Sequence, residues 1–176
     1  MKRAYLLKFL VLLLVCPGAG CGYHVMAGGE PVGVTIQNLA IPLFTSTSSE
    51  MGFEALFTEV IREEFISHSK VPLVPEDRAS MVLTGRIYDI STNPIGFNST
   101  TGFTVTSTRR ISVRLDVQMI DKARGKIIWH DKALEETTSY SLGSDPLAAQ
   151  LDEQQALERL ARRVAKKIYQ RSVERF

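Results

Sequence analysis

Between Ile111 and Met119 the apolar side chains Ile111, Val113, Leu115, Val117 and Met119 alternate with Ser112, Arg114, Asp116 and Gln118. A period of two sends one set to each side of a strand, so this segment belongs to a sheet with one dry face and one wet face. The dry face needs a second layer to cover it. Asp121 to Gly125 then supplies a turn, and Ile127-Ile128-Trp129 opens the next strand, which predicts a β-hairpin.

Two segments have the helical period that such a cover requires. Phe53, Leu56, Phe57, Val60, Ile61 and Phe65 recur every three or four residues, and Thr47-Ser48-Ser49-Glu50 before them has the spacing of a capping box. They predict a helix ending near Ser67. Its opposite face carries Glu54, Glu59, Arg62 and Glu63, a mixture unsuited to an anionic lipid surface, so the apolar stripe is expected to pack on the sheet. The second helix starts at Asp145-Pro146, with Asp as the cap and Pro in the first turn. It places Leu157, Leu160, Ala161, Val164, Ala165, Ile168 and Tyr169 on one face and runs nearly to the C-terminus.

The other strands are less regular. Val34 to Phe44 is β-rich and predicts a strand ending near Pro42. After Pro72 and Pro75, Met81 to Ile90 is apolar on both faces in places, as suits a strand inside the sheet. Ser91 to Gly102, with Asn93-Pro94, Gly96, Asn98 and Gly102, is expected to be a polar loop exposing Ile95 and Phe97, and is a candidate for a mobile hairpin tip. The order β-α-β-β-β-α lacks regular βαβ alternation. It predicts an α+β two-layer sandwich, two helices on one face of a four-stranded mixed sheet, with the face bearing Arg114, Asp116 and Gln118 left for water or a partner.

The N-terminal segment has a different purpose. Lys2, Arg3 and Lys8 precede the apolar run Phe9 to Cys16, and the small residues Gly18, Ala19 and Gly20 follow, which is the pattern of a signal peptide. The run is too short for a bilayer that needs about 20 residues. Gly18-Ala19-Gly20-Cys21 is similar to a lipobox, so cleavage is expected before Cys21 and lipid on its sulfur. Two or three acyl chains, at about 0.8 kcal/mol per buried methylene, anchor stably where one is marginal. Gly22, rather than Asp, follows the cysteine, which predicts the periplasmic face of the outer membrane.

The expected divisions are a leader over 1–20, a lipidated tether over 21–33 rich in Gly and Pro, and one domain over 34–176. Cys16 departs with the leader and Cys21 carries lipid, so no disulfide is available to the domain. Loss of Lys2, Arg3 and Lys8 takes the formal charge from +2 to −1 and removes any reason to expect nucleic acid.

Catalytic patterns are missing. His24, His68 and His130 fall in the tether, at a helix end and in a strand, with no second His or Cys at ligand spacing, so no metal is expected. There is no G-x-S-x-G elbow, Walker A loop or dinucleotide fingerprint. Glu63-Glu64 and Glu135-Glu136 are sequence neighbours that point apart, and are read as solvated charges rather than an acid–base pair. Neither an enzyme nor a cofactor is expected.

Several landmarks in their order carry a family resemblance. They are Cys21-Gly22-Tyr23-His24, the strand Leu39-Ala40-Ile41-Pro42-Leu43-Phe44 with Thr45-Ser46-Thr47 after it, Phe57-Thr58 in the first helix, Leu83-Thr84-Gly85, Ile128-Trp129 and the closing amphipathic helix. Together they resemble the LptE lipopolysaccharide-assembly lipoproteins. The resemblance implies a plug inside the LptD β-barrel, in a heterodimer that helps the barrel assemble and passes lipopolysaccharide to the outer leaflet. A phosphorylated lipid calls for Arg or Lys near apolar surface. Arg109 and Arg110, near Phe97 and Phe103, are the first candidates, and Lys122, Arg124 and Lys126 at the next turn are the second. An outer-membrane lipoprotein activating a peptidoglycan synthase is the alternative, but it favours a long linker after the lipidated cysteine, and the tether here is about 12 residues.

Overall fold

The alternating segment lies in the middle of the longest ladder of the sheet. A computed structural model describes residues 36–48, 52–100 and 103–174. The strands are β1 (Leu39–Ala40), β2 (Thr45–Ser46), β3 (Met81–Thr100), β4 (Phe103–Asp121) and β5 (Lys126–Ser141). The helices are α1 (Phe53–His68) and α2 (Pro146–Glu174), with a 3-10 turn at Glu76–Arg78. β3, β4 and β5 form an antiparallel meander, while β1 and β2 pair in parallel with β3. This is the expected α+β arrangement, with both helices against a mixed sheet.

Ile111, Val113, Leu115, Val117 and Met119 are all fully buried. Opposite members of this set in register stand Leu83, Ile87 and Ile90 on β3, and Leu134 and Trp129 on β5, so one face of the sheet is dry throughout its centre. α1 covers it with Phe57, Ile61 and Phe65, and α2 with Ala156, Leu160, Ala161, Val164, Ala165 and Ile168. Each large side chain so buried is worth about 1.5–3 kcal/mol relative to exposure. The small residues of α2 let its backbone come close to the sheet and to α1, where Tyr169 meets Phe65 edge to face at 5.3 Å.

The first strand differs from expectation. It is two short pieces, Leu39 against Met81 and Thr45 against Arg86, with one residue more on the edge than on β3 between them. Pro42, which has no N–H to donate, lies in this bulge. Arg62 of α1 secures the bulge by donating from Nε and Nη2 to the Ile41 carbonyl at 2.9 and 2.6 Å. Buried Thr58 accepts from the Phe44 N–H at 2.9 Å and donates to the Glu54 carbonyl at 2.6 Å. Phe44 itself lies over Gly85, where any Cβ would sit 2.1 Å from its ring.

Two other expectations are corrected. Thr47 does not cap α1, and Ser49 and Glu50 of the expected capping box lie outside the described residues: the helix starts at Phe53 after Gly52, whose φ of 102° is in the left-handed region and whose N–H is taken by the Glu54 carboxylate at 2.9 Å. Thr47 instead continues the sheet edge by donating its N–H to the Ile87 carbonyl at 2.9 Å. Ser91 to Thr100 is not a loop but the outer half of β3, paired with β4 as far as Thr100 against Phe103. Pro94 is compatible with this because β1 and β2 end beside Ile87 and leave the outer side of β3 unpaired beyond it. Asp145 caps α2 as expected, its Oδ1 accepting from the Leu147 N–H at 2.9 Å.

Both sheet edges are blunted against pairing with another chain. On β5, Lys167 donates to the Glu135 carbonyl at 2.8 Å and Arg163 to the Thr137 carbonyl at 3.2 Å, while Lys167 also pairs with Glu136 and Arg171 with Asp131. Glu136 is therefore an ion-pair partner, not the freely solvated charge expected. On β3 the register slips at Tyr88 and again around Ile95, with Pro94 between them.

Candidate functional site

The open face of the sheet is polar, and its centre is a connected cluster. Asp116 accepts from the Tyr88 hydroxyl at 2.9 Å and pairs with Nε2 of His130, while Arg114 reaches Asp89 at 3.2 Å. Partial burial opposes ionisation of Asp116, but the hydrogen bonds from Tyr88 and His130 and the charges of His130 and Arg86 outweigh it. They hold its carboxyl below the ordinary range. The same hydrogen bond, followed by desolvation, raises the Tyr88 phenol. Beside this cluster a shallow groove of about 350 Å³ runs to the β1–β2 bulge, lined by Pro42, Leu43, Glu76, Arg86, Asp116 and Gln118 among others. Among the described residues no three of His, Cys, Asp and Glu are grouped to hold a metal. Nor is any described helix long and apolar enough to cross a membrane.

The two basic clusters of the sequence lie at opposite ends of β4. Arg110 and Asp121 are eleven residues apart on one strand, or about 37 Å at the rise of an antiparallel strand. No single anion could touch both. Arg109 and Arg110 are also separated from each other, because neighbours on a strand face opposite ways. Arg110 is on the open face in line with Ser112 and Arg114. Arg109 follows the buried set toward the helix layer, next to Tyr140, its partner on β5. Burial raises the Tyr140 phenol, the carboxylate of Glu153 adds to the shift, and Arg109 opposes it, so these three groups meet where α2 begins to contact the sheet.

That end of the molecule has a further property. The last pair of β5 is Ser141 with Thr108, so β3 and β4 continue beyond it as a two-stranded ribbon. From Ser91 to Arg110 there is no carboxylate, and Ile95 and Phe97 are exposed, Phe97 by 58%. The first turns of α2, which start at this end, expose Leu147 by 74% and Leu151 by 54%. Cations and uncovered apolar surface are thus gathered together. The α2 contribution was not anticipated, although the four-residue spacing of Leu147 and Leu151 was a signal for it.

Lys122, Arg124 and Lys126 are exposed on the β4–β5 turn at the other end, where Lys122 donates to the Glu76 carbonyl at 2.6 Å and Arg124 pairs with Asp121 at 3.7 Å. Cys21 and the tether lie outside the described residues. The family model for lipopolysaccharide assembly, LptE, matches residues 36–172. The chain belongs to the LptE family. That family is a non-enzymatic one of lipoproteins.

Solved structures agree in fold. The chain is similar to a lipoprotein B of Nitrosomonas europaea at 10% identity, with 88% of this chain and 90% of that one covered and a TM-score of 0.56. It is also similar to a hypothetical protein of Chlamydia trachomatis at 15% identity, covering 77% and 95%, with a TM-score of 0.51. A minor lipoprotein of Acinetobacter baumannii gives 14%, 80% and 92%, with a TM-score of 0.50. No curated protein is significantly similar in sequence.

Proposed function

We propose that this LptE-family protein is an outer-membrane lipoprotein, cleaved before and acylated on Cys21, that serves lipopolysaccharide assembly as a plug and partner of the LptD β-barrel. Family membership over residues 36–172 supports the assembly role. The observation that carries the finer reading is the β3–β4 ribbon, which projects beyond β5 with Phe97 exposed, while Arg109 and Arg110 stand at its base, paired with Tyr140 and Ser139 of β5, on the same end of the molecule as the exposed leucines of α2. A narrow projecting ribbon is of a shape that a barrel lumen accepts. Guanidinium groups beside apolar surface suit a phosphate carried on acyl chains.

Arg109 and Arg110 face apart, so they would contact different groups of one lipopolysaccharide molecule, or one of them alone would bind. Lipopolysaccharide binding by Arg109→Ala, Arg110→Ala and the double variant separates these cases. The reading expects a loss of on the order of tenfold or more in the double variant, as for a charge-assisted hydrogen bond of about 1.5–3 kcal/mol. Binding unchanged in the double variant would remove the base of the ribbon from the lipopolysaccharide path.

A further inference from the structure

The open face of the sheet divides into two halves. In the half nearer the β1–β2 bulge the polar side chains satisfy one another: Asp116 holds Tyr88 and His130, and Arg114 reaches Asp89. Toward the ribbon the register sets out a different pattern. Ser91, Ser112 and Thr137 stand side by side across β3, β4 and β5, and Asn93, Arg110 and Ser139 form the next row. Thr108 and Ser141 continue the pattern on β4 and β5, opposite Gly96, which brings no side chain to cover them. Among the described residues, none of these side chains hydrogen-bonds or pairs with another group of the protein.

Solvation alone does not account for the change between the halves. A sheet face turned to water ordinarily mixes charges of both signs, as the Arg114 row does with Asp89 and Glu135. Beyond that row the strands carry one charge on this face, Arg110, and no carboxylate. Strand propensity does not account for it either, since Asn93, Pro94 and Gly96 are poor strand formers. What remains is a flat grid of small groups that both donate and accept, spaced about 4.8 Å across the strands and about 6.8 Å along them. The grid ends at Phe97, which stands opposite Thr106 and is 58% exposed.

We propose that this half of the open face is a binding platform for the oligosaccharide of lipopolysaccharide, with Arg110 taking an anionic substituent of the sugar chain and Phe97 packing on the apolar side of a ring. The inference rests on the reading that the chain handles lipopolysaccharide, and adds which part of that molecule is held and by which face. Sugar hydroxyls donate and accept in turn, and the free hydroxyls, amide and guanidinium of the grid answer them without first breaking a bond within the protein. Charge complementarity points the same way. A phosphate or carboxylate on the sugar meets Arg110 without a competitor, because the nearest carboxylates of the face, Asp89 and Glu135, stand two rows away beside Arg114. An acyl chain would find only Phe97 here, so the lipid part is left to other surfaces. In a plug, the face would border the open part of the lumen, the polar route that a sugar chain needs.

The test titrates the full chain, purified in mild detergent, with complete lipopolysaccharide, with lipid A alone, with the lipid-free oligosaccharide, and with glycan fragments of peptidoglycan. Arg110→Gln, and Ser112→Val combined with Ser139→Val, are compared with Lys132→Ala, an exposed position outside the grid. Valine favours strands, so the double variant keeps the fold, which circular dichroism checks. The parent should bind the free oligosaccharide, and should bind complete lipopolysaccharide more tightly than lipid A. The grid variants should weaken binding of those two sugar-bearing ligands by about two- to tenfold for each hydrogen bond removed and leave lipid A binding unchanged. Lys132→Ala should alter none of them. An equal loss for complete lipopolysaccharide and lipid A, or a parent that does not bind the free oligosaccharide, would overturn the platform and leave lipopolysaccharide binding by the chain standing. Equally tight binding of the peptidoglycan fragments would overturn it in favour of a face open to any glycan. Grid variants that bind sugar as the parent does but no longer copurify with a barrel would overturn it in favour of a wall contact. A parent that binds neither complete lipopolysaccharide nor lipid A would overturn the underlying reading and the platform with it.

Discussion

Replacing Gly85 by Ala would put a methyl group into the ring of Phe44. The added Cβ would lie 2.1, 2.3 and 2.5 Å from three ring carbons, far inside ordinary contact. Phe44 cannot simply move aside: it is 1% exposed, and its N–H is held by Thr58. Overpacking of a filled core costs typically 1–3 kcal/mol, and a clash with a stiff, fully buried ring belongs at the upper end, about 3 kcal/mol. For a domain of this size the melting temperature should then fall by roughly 6–12 °C. Urea unfolding followed by Trp129 fluorescence and far-ultraviolet circular dichroism measures it. Phe44→Leu alone should also destabilise, by opening a cavity, yet the double variant should be more stable than the sum of the two losses predicts, because the smaller side chain makes room for the methyl. A Gly85→Ala midpoint close to the parent's, or strict additivity in the double variant, would refute the close approach of Phe44 and Gly85.

Other consequences follow from single contacts. Thr58→Val leaves the buried Phe44 N–H without its acceptor and should cost about 1–3 kcal/mol in the same unfolding assay. Asp145→Ala removes the cap of α2 and should cost about 1 kcal/mol, with hydrogen exchange quickened in the first turn only. Asp116 has a folded pKa below its unfolded value, so its contribution is fully present above pH ~4 and is lost as the pH falls through the lowered value. The midpoints of the parent and of Asp116→Asn should therefore approach each other only in that acid range, and a gap independent of pH would contradict the network. Lys167→Ala with Arg163→Ala uncovers two carbonyls of β5 and should produce concentration-dependent association in gel filtration.

The layers were legible because burial imposes its period on the residues that make them. The alternation from Ile111 to Met119 and the stripes of the two helices give the dry face and its cover directly. The hairpin tip was suggested by the sequence, but the length of the paired ribbon was not legible. Asn93-Pro94 and Gly96 are turn formers by local preference, but pairing with β4 overrides that preference, and the unpaired outer side of β3 makes the missing Pro94 N–H harmless. The start of α1 was misplaced for a similar reason, since Thr47 is drawn into the sheet edge by the Ile87 carbonyl. As for the site, Arg109 and Lys122 look close in sequence, and only an uninterrupted β4 reveals that they occupy opposite ends. The Asp116, Tyr88 and His130 cluster depends on the register of three strands, which no local pattern specifies.

The most direct test of the assembly role is to extract the lipidated protein from its native envelope in mild detergent and identify what accompanies it. The account predicts a large β-barrel protein in equal amount with this chain. Recovery with a peptidoglycan synthase, or with no partner at all, would contradict it.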